Sequence, residues 1–398
     1  MKKICLFMML MFILIPVCYA TTTTNNDITT TKKVENKKED DLLNDGKSAI
    51  LIESSTGKIL YEKNSHERYA PASMTKIMSM ILIMEAIENG KIKWTDKLIT
   101  SEYASSMGGS QIFLQPNEKM SVNDLFKAVA IGSANDATVV FAEKIAGTEK
   151  KFVNLMNEKA KKLGLKDTNF KNAVGLDEAN HYSSAYDMAI MAKELVKHEK
   201  IFKYTTIYED YLRQNTDNKF WLVNTNKLIK TYEKADGLKT GYTKEAGYCL
   251  TATAKSNRMR LIGTIMGANE SKSRNENMVR LLEYGFNMYE MQVEVKKGNV
   301  VAIKNISKAK NEKVKIVAKQ DASILKQKGE ENKKLNYEMD LDNIKLPIKK
   351  GDKVGVLLLK DKNKIVNKTI LTVNENIKKA NLFELYKRSL KSLFTGVI

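Results

Sequence analysis

The first apolar pattern of note is Ala49-Ile50-Leu51-Ile52, then the turn Ser54-Ser55-Thr56-Gly57, then Ile59-Leu60-Tyr61, which reads as a β-hairpin. After Pro71 the pattern changes. From Ile77 to Ile87 the chain is apolar almost without interruption, and Gly90 supplies a C-terminal stop. That predicts a helix covered on all sides, entered through the extended Pro71, with Ser73 as cap or first-turn residue. Helical periodicity returns over Val122–Ala130, Asp136–Ala146, 151–164 and 184–197, the last with Ser184 and Asp187 spaced as a cap. Between the first two helices and the strands lie loop-rich stretches, Ser101 to Glu118 and Asn172 to Ser183. Three apolar segments then follow with short connections: Asp236–Tyr242, Gly247–Ala254 and Leu261–Met266. They predict an antiparallel meander. Joined to the opening hairpin, it makes an α+β fold: an antiparallel sheet of about five strands beside a helical cluster.

From Val293 the helical period disappears. Alternating runs such as Val314-Lys315-Ile316-Val317 and Val354–Leu359 are separated by Lys/Asn/Gly/Asp turns, which predicts a small all-β domain over 291–376. Residues 377–398 are expected to be an amphipathic helix. Leu382, Phe383, Tyr386, Leu390, Leu393 and Phe394 share one face, and Lys379, Lys387, Arg388 and Lys391 are available to anionic headgroups. Lying on a membrane surface and packing on the β domain need the same pattern, so both readings stand. At the other end, residues 1–20 read as an export signal: Lys2-Lys3, an apolar run from Ile4 to Val17, and Cys18-Tyr19-Ala20 as a cleavage site. The Thr/Asn/Lys/Glu tract over 21–46 is expected to be a disordered linker, which leaves 47–290 for the main domain.

Charge changes this picture little. The formal net charge is +19, and still +17 without Lys2 and Lys3. The lysines are spread along the chain with no aromatic-interleaved cluster, so a solvated basic surface is expected and no nucleic-acid partner. The histidines are only His66, His181 and His198, too few for a metal cluster, and they leave little room for a histidine base. An exported chain cut after Ala20 would keep Cys249 alone and form no internal disulfide. No metal or cofactor is expected.

Candidate chemistry centres on Ser73 and Lys76, one turn apart at the head of the buried helix. A lysine there is costly unless paired or used. Two further motifs follow in order: Ser133-Ala134-Asn135, at a junction between helices, and Lys239-Thr240-Gly241, on a strand. The ordered set is far more specific than any of its parts. The chain resembles the D-alanyl-D-alanine carboxypeptidases, the low-molecular-mass penicillin-binding proteins of the S11 serine peptidase family. The likeness runs through Ala70–Lys76, Ser133-Ala134-Asn135-Asp136-Ala137 and Asp236–Thr243.

The resemblance implies a serine β-lactamase/penicillin-binding-protein-like catalytic domain and acyl transfer to Ser73. A serine hydroxyl needs a base, and with no histidine placed for the task that base is expected to be Lys76. Desolvation and the positive charge of Lys239 both favour neutral Lys76. Ser133 is expected to relay protons, and Asn135 to orient Lys76 and hold the substrate amide. Lys239 and Thr240, with Gly241 beside them, are expected to bind the terminal carboxylate. The backbone N–H groups of Ser73 and Tyr242 would form the oxyanion hole. The implied partners are peptidoglycan pentapeptide ending in D-Ala-D-Ala, and β-lactam antibiotics. Arg274 reads equally as a carboxylate contact and as a surface arginine capping the next helix. Two other functions compete: a penicillin sensor or wall-docking protein without turnover, and a β-lactamase. The latter is weakened because no Glu-x-x-Leu-Asn occurs between Ser133 and Lys239.

Overall fold

The computed structural model describes residues 42–342 and 345–395, with side chains described as far as Leu390 in the last helix. The expected export signal and most of the expected linker lie outside the described residues. The main sheet is antiparallel and five-stranded. Its strands are β1 (Ser48–Glu53), β2 (Ile59–Lys63), β3 (Ala235–Thr243), β4 (Gly247–Ser256) and β5 (Met259–Ala268), in the order β2-β1-β5-β4-β3. The hairpin and the meander meet where β1 pairs with β5, Ile50 opposite Thr264.

Alternation along the strands sorts their side chains to two cores. Ile50, Ile52, Ile262 and Met266 face the larger helical layer. Ala49, Leu51, Leu261 and Ile265 face the other side. The larger layer is built on α1 (Lys76–Glu88), with α2 (Asn135–Ala146), α3 (Glu149–Leu163) and α4 (Ala185–Leu195) around it. The opposite face is covered by α5 (Ser271–Met288), which buries Met278, Leu281, Leu282 and Phe286. With both faces covered, all six residues of β1 are buried. Each apolar side chain closed off in this way contributes about 1.5–3 kcal/mol relative to exposure. Helix α1 is apolar all round, as its sequence requires. Lys159 of α3 ties it to α4 by reaching Glu85 at 2.5 Å and Glu194 at 2.9 Å.

The region after α5 is all-β. Strands β6 (Tyr289–Val295), β7 (Val300–Asn305), β8 (Lys313–Ala318), β9 (Ala322–Gln327), β10 (Asn336–Leu341), β11 (Lys353–Asp361) and β12 (Lys364–Val373) form a β6-β9 pair and a sheet of order β7-β8-β12-β11-β10. Val314, Ile316, Leu357, Leu359, Leu371 and Val373 share its core.

Two expected boundaries move. Residues 42–46 are not linker: Leu43 is buried, and Asp45 accepts hydrogen bonds from the Asn269 backbone N–H at 2.9 Å and from Ser273 Oγ. Asn277 Nδ2 also donates to the Asp45 carbonyl, so the polar residues that suggested disorder instead tie the chain to α5. At the far end, the last helix α6 (Leu382–Thr395) starts later than 377. Ile377 bridges to Ile348 and Lys379 to Ala309, so this stretch belongs to the β region through its backbone pairing.

Candidate active site

Ser73 lies in a 3-10 turn, Ala72–Thr75, that runs directly into α1. It does not cap the helix; its hydroxyl is hydrogen-bonded to Lys76 Nζ at 3.0 Å. Lys76 has no exposed surface at all, and Nζ donates a second hydrogen bond to the Val174 carbonyl at 2.8 Å. Burial drives its pKa well below the usual lysine range; Lys239 pushes the same way and Asp136 opposes. Among the described residues no acidic side chain forms an ion pair with Nζ, and burial favours its neutral form.

The turn is held by close backbone approach on two sides. Gly241 of β3 lies against it so tightly that a Cβ there would sit 2.8 Å from the Pro71 carbonyl oxygen and 3.2 Å from the Met74 nitrogen. The backbone beside Gly241 is therefore the serine's own turn. On the other side Gly175, at φ +89°, would place a Cβ 1.8 Å from the Ala72 carbonyl oxygen.

Ser133 follows a π-helical turn, Ala128–Gly132, and takes the left-handed conformation, φ +64°. Such turns put an extra residue into a helix and recur at functional sites. Here the turn leaves Ser133 Oγ buried without a hydrogen-bond partner among the described residues. Asn135, first residue of α2, donates from Nδ2 to the Gly108 carbonyl at 2.6 Å, while its Oδ1 is also buried without a partner among the described residues. Asn135 therefore does not orient Lys76, as the sequence suggested; the Val174 carbonyl takes that donor. Asp136 is buried behind it and accepts the backbone N–H groups of Ile112 and Leu114, each at 3.1 Å. That fixes the loop 107–116 along the site.

On β3, Lys239 is buried and donates to the Thr240 carbonyl at 3.1 Å. Thr240 Oγ1 donates to Thr225 Oγ1 at 2.7 Å. Burial, and then the charge of Arg274, bring Lys239 down to about 7. Its charged form, which the sequence assigns to a carboxylate clamp, is thus less favoured than in an ordinary lysine. Arg274 itself is 4% exposed and hydrogen-bonds the Cys249 carbonyl at 3.4 Å, which removes the surface reading. Tyr242 is exposed and stacks on Tyr248 with ring centroids 4.3 Å apart.

His181 is not a base for Ser73. Its Nδ1 accepts the Lys171 backbone N–H at 3.0 Å, so the proton sits on Nε2, which donates to Thr75 Oγ1 at 2.8 Å. Burial holds its pKa at about 4, and the ring stays neutral.

Residues 33–270 match the family model for D-alanyl-D-alanine carboxypeptidases, peptidase family S11. The chain belongs to this family. Residues 289–379 of the carboxypeptidase match the C-terminal domain of penicillin-binding protein 5. It is 53% identical to D-alanyl-D-alanine carboxypeptidase DacF of Bacillus subtilis, over 88% of this chain and 90% of that one. The crystal structure of penicillin-binding protein 5 from Haemophilus influenzae superposes with a TM-score of 0.64 at 32% identity, covering 84% of this chain and 97% of that one. Penicillin-binding protein D2 of Listeria monocytogenes, solved with cefotaxime bound, gives a TM-score of 0.55 at 31% identity, covering 61% and 97% respectively.

Three contributors to the carboxypeptidase site escaped the sequence reading. The Val174 carbonyl belongs to the backbone, so no residue type announces it. Thr225 lies outside every motif. Glu149 looks like an ordinary acidic residue in a first helical turn, yet it is buried and accepts the Ala173 backbone N–H at 2.8 Å. Only the pairing of a first-turn acid with a distant loop distinguishes it, and sequence alone does not contain that pairing.

Proposed function

We propose that this chain removes the terminal D-alanine from peptidoglycan pentapeptide stems through an acyl-enzyme on Ser73. The observation that carries the assignment of roles is a wholly buried Lys76 Nζ 3.0 Å from the Ser73 hydroxyl. Neutral Lys76 takes the Ser73 proton as Oγ attacks the penultimate D-alanine carbonyl. The oxyanion forms between the backbone N–H groups of Ser73 and Tyr242. As the C–N bond breaks, the proton returns to the departing D-alanine nitrogen by way of Ser133, whose unpartnered hydroxyl is available to it. Water then hydrolyses the ester and restores Ser73.

Asn135 Oδ1, also without a partner, accepts the amide N–H of the incoming peptide. Lys239, Thr240 and Arg274 receive the terminal carboxylate, and a carboxylate against Lys239 draws that lysine to its charged form. A β-lactam acylates the same serine. The test is D-alanine release from a synthetic pentapeptide ending in D-Ala-D-Ala, with stoichiometric labelling by a fluorescent penicillin alongside. Labelling without any turnover would leave a penicillin sensor in place of an enzyme.

We also propose that the enzyme is exported and works at the outer face of the cytoplasmic membrane, held by α6. No described helix is long and apolar enough to cross a membrane. Leu382, Phe383 and Tyr386 are 87%, 65% and 62% exposed, so the apolar face of α6 is not spent on the β domain. Arg388, on the opposite side, hydrogen-bonds the carbonyls of Ser307 and Ala309 at 3.1 and 2.9 Å. It therefore fastens the helix to the β domain and is not one of the headgroup contacts the sequence suggested. Deleting 381–398 is expected to release the protein from anionic liposomes while D-alanine release from soluble peptide continues at its full rate. Salt should weaken binding of the intact chain only in part, because the apolar component is unscreened. A truncated protein that still binds, or that unfolds, would assign the helix to the β domain instead.

A further inference from the structure

The Val174 carbonyl does more than satisfy Lys76. A neutral amine carries two N–H bonds and one lone pair. If one N–H is committed to a fixed acceptor, rotation about the terminal C–N bond is restricted and the lone pair acquires a direction. Among the described residues Val174 O at 2.8 Å and Ser73 Oγ at 3.0 Å are the hydrogen-bond partners of Nζ, so the carbonyl decides whether the lone pair faces the serine.

That carbonyl sits on a loop, 172–176, whose shape is imposed from two places. Asn172 Oδ1 accepts three successive backbone N–H groups, from Val174 at 3.3 Å, Gly175 at 2.7 Å and Leu176 at 3.2 Å. Its Nδ2 donates to the Leu176 carbonyl at 3.0 Å and to Glu178 Oε2 at 3.2 Å. Glu149, at the start of α3, then grips the other end through the Ala173 N–H at 2.8 Å, and the Ala173 carbonyl accepts from Ser79 of α1 at 2.7 Å. The second oxygen of Glu149 accepts the Tyr103 hydroxyl at 2.5 Å. Tyr103 belongs to the short helix Glu102–Ser105, which leads into the loop 107–116 that holds Asn135. One buried carboxylate thus links both loops that flank the Ser73–Lys76 pair.

We propose that Glu149 and Asn172 are positioning residues that aim the lone pair of Lys76 at Ser73 by fixing the backbone of Ala173–Leu176. The proposal rests on the reading of Lys76 as the base. Both side chains spend their hydrogen bonds on this loop, on Tyr103 and on Glu178, so their effect belongs in the acylation rate and not in substrate affinity. If the loop is released, water reaches Nζ, its charged form is better solvated and its pKa rises.

The test measures acylation by a fluorescent penicillin across pH, per active site titrated, so that a smaller folded fraction does not count as a slower site. Glu149→Leu is expected to slow acylation by about tenfold or more, within the range of general-base effects, and to move the acidic limb of the profile to higher pH. In D-alanine release, kcat should fall while KM stays. Glu149→Gln keeps an oxygen for the Ala173 N–H and should restore most of the rate and the original profile. Asn172→Ala should repeat the Glu149→Leu result, and it carries the test alone if Glu149→Leu does not fold. A wild-type profile and rate per titrated site in Glu149→Leu and Asn172→Ala would overturn the proposal. Near-native acylation by Lys76→Arg would overturn the base assignment itself, so the two failures are distinguishable.

Discussion

Replacing Ser73 by alanine is expected to abolish D-alanine release and covalent labelling by penicillin together. Both reactions run through one oxygen, and among the described residues no second hydroxyl is paired with Lys76: the other hydrogen-bond partner of Nζ is a carbonyl, which has no proton to give. Ser133 Oγ is buried and has no hydrogen-bond partner among the described residues, so no base in that set is paired with it as a substitute nucleophile. The loss should therefore reach the detection limit of either assay. Ser73 is only half-buried in a turn braced by Gly241 and Gly175, so the alanine protein should fold and keep its unfolding free energy within about 0.5–1 kcal/mol of the parent, as expected for a small polar-to-alanine change. Labelling retained by a folded Ser73→Ala protein would move the nucleophile elsewhere.

The second large effect is expected at Lys76. Arginine keeps the positive charge but cannot give up its proton at any working pH, so Lys76→Arg should cut acylation by about 10²–10⁴-fold. Lys239→Arg should be milder and act mainly on KM, because a carboxylate clamp needs charge and not a free lone pair. The sign of the pH dependence follows from the burial of Lys76. Its pKa is depressed in the folded protein, so the neutral base persists well below the usual lysine range. Acylation should fall as pH drops through that depressed value and Nζ becomes charged. Near-native acylation by Lys76→Arg beside an inactive Lys239→Arg would reverse the two roles.

Much of this was legible in the sequence because local pattern and global packing agree. The uninterrupted apolar run after Ser73 predicted a helix covered on every side, and the side chains of Met78, Met80, Ile81, Ile83 and Met84 are without exposed surface. The short turns between Asp236 and Met266 predicted the meander, and the strands pair in that order. What stayed hidden depends on backbone atoms or on contacts distant in sequence. The carbonyl that holds Lys76 has no signature. Arg274 looked as much like a surface cap as a site residue, because only the tertiary fold carries it under β4. The stretch 42–46 looked unstructured because the partners of Asp45, namely Asn269, Ser273 and Asn277, lie more than two hundred residues away. Arg388 looked like a membrane contact because spacing on a helix does not say which face meets the protein.

The two glycines against the serine turn bear on antibiotic escape. An enzyme can exclude an inhibitor by adding bulk to the walls around its nucleophile. At Gly241 and Gly175 the atoms that an added methyl group would strike are the main-chain oxygens of Pro71 and Ala72, which cannot swing aside as side chains can. Bulk introduced there would displace Ser73 along with the drug, and the natural peptide would lose its attacking group at the same time. Substitutions that spare peptide hydrolysis while resisting β-lactams are therefore expected from the exposed rim, at Tyr242 or in the loop 107–116, and not from either glycine.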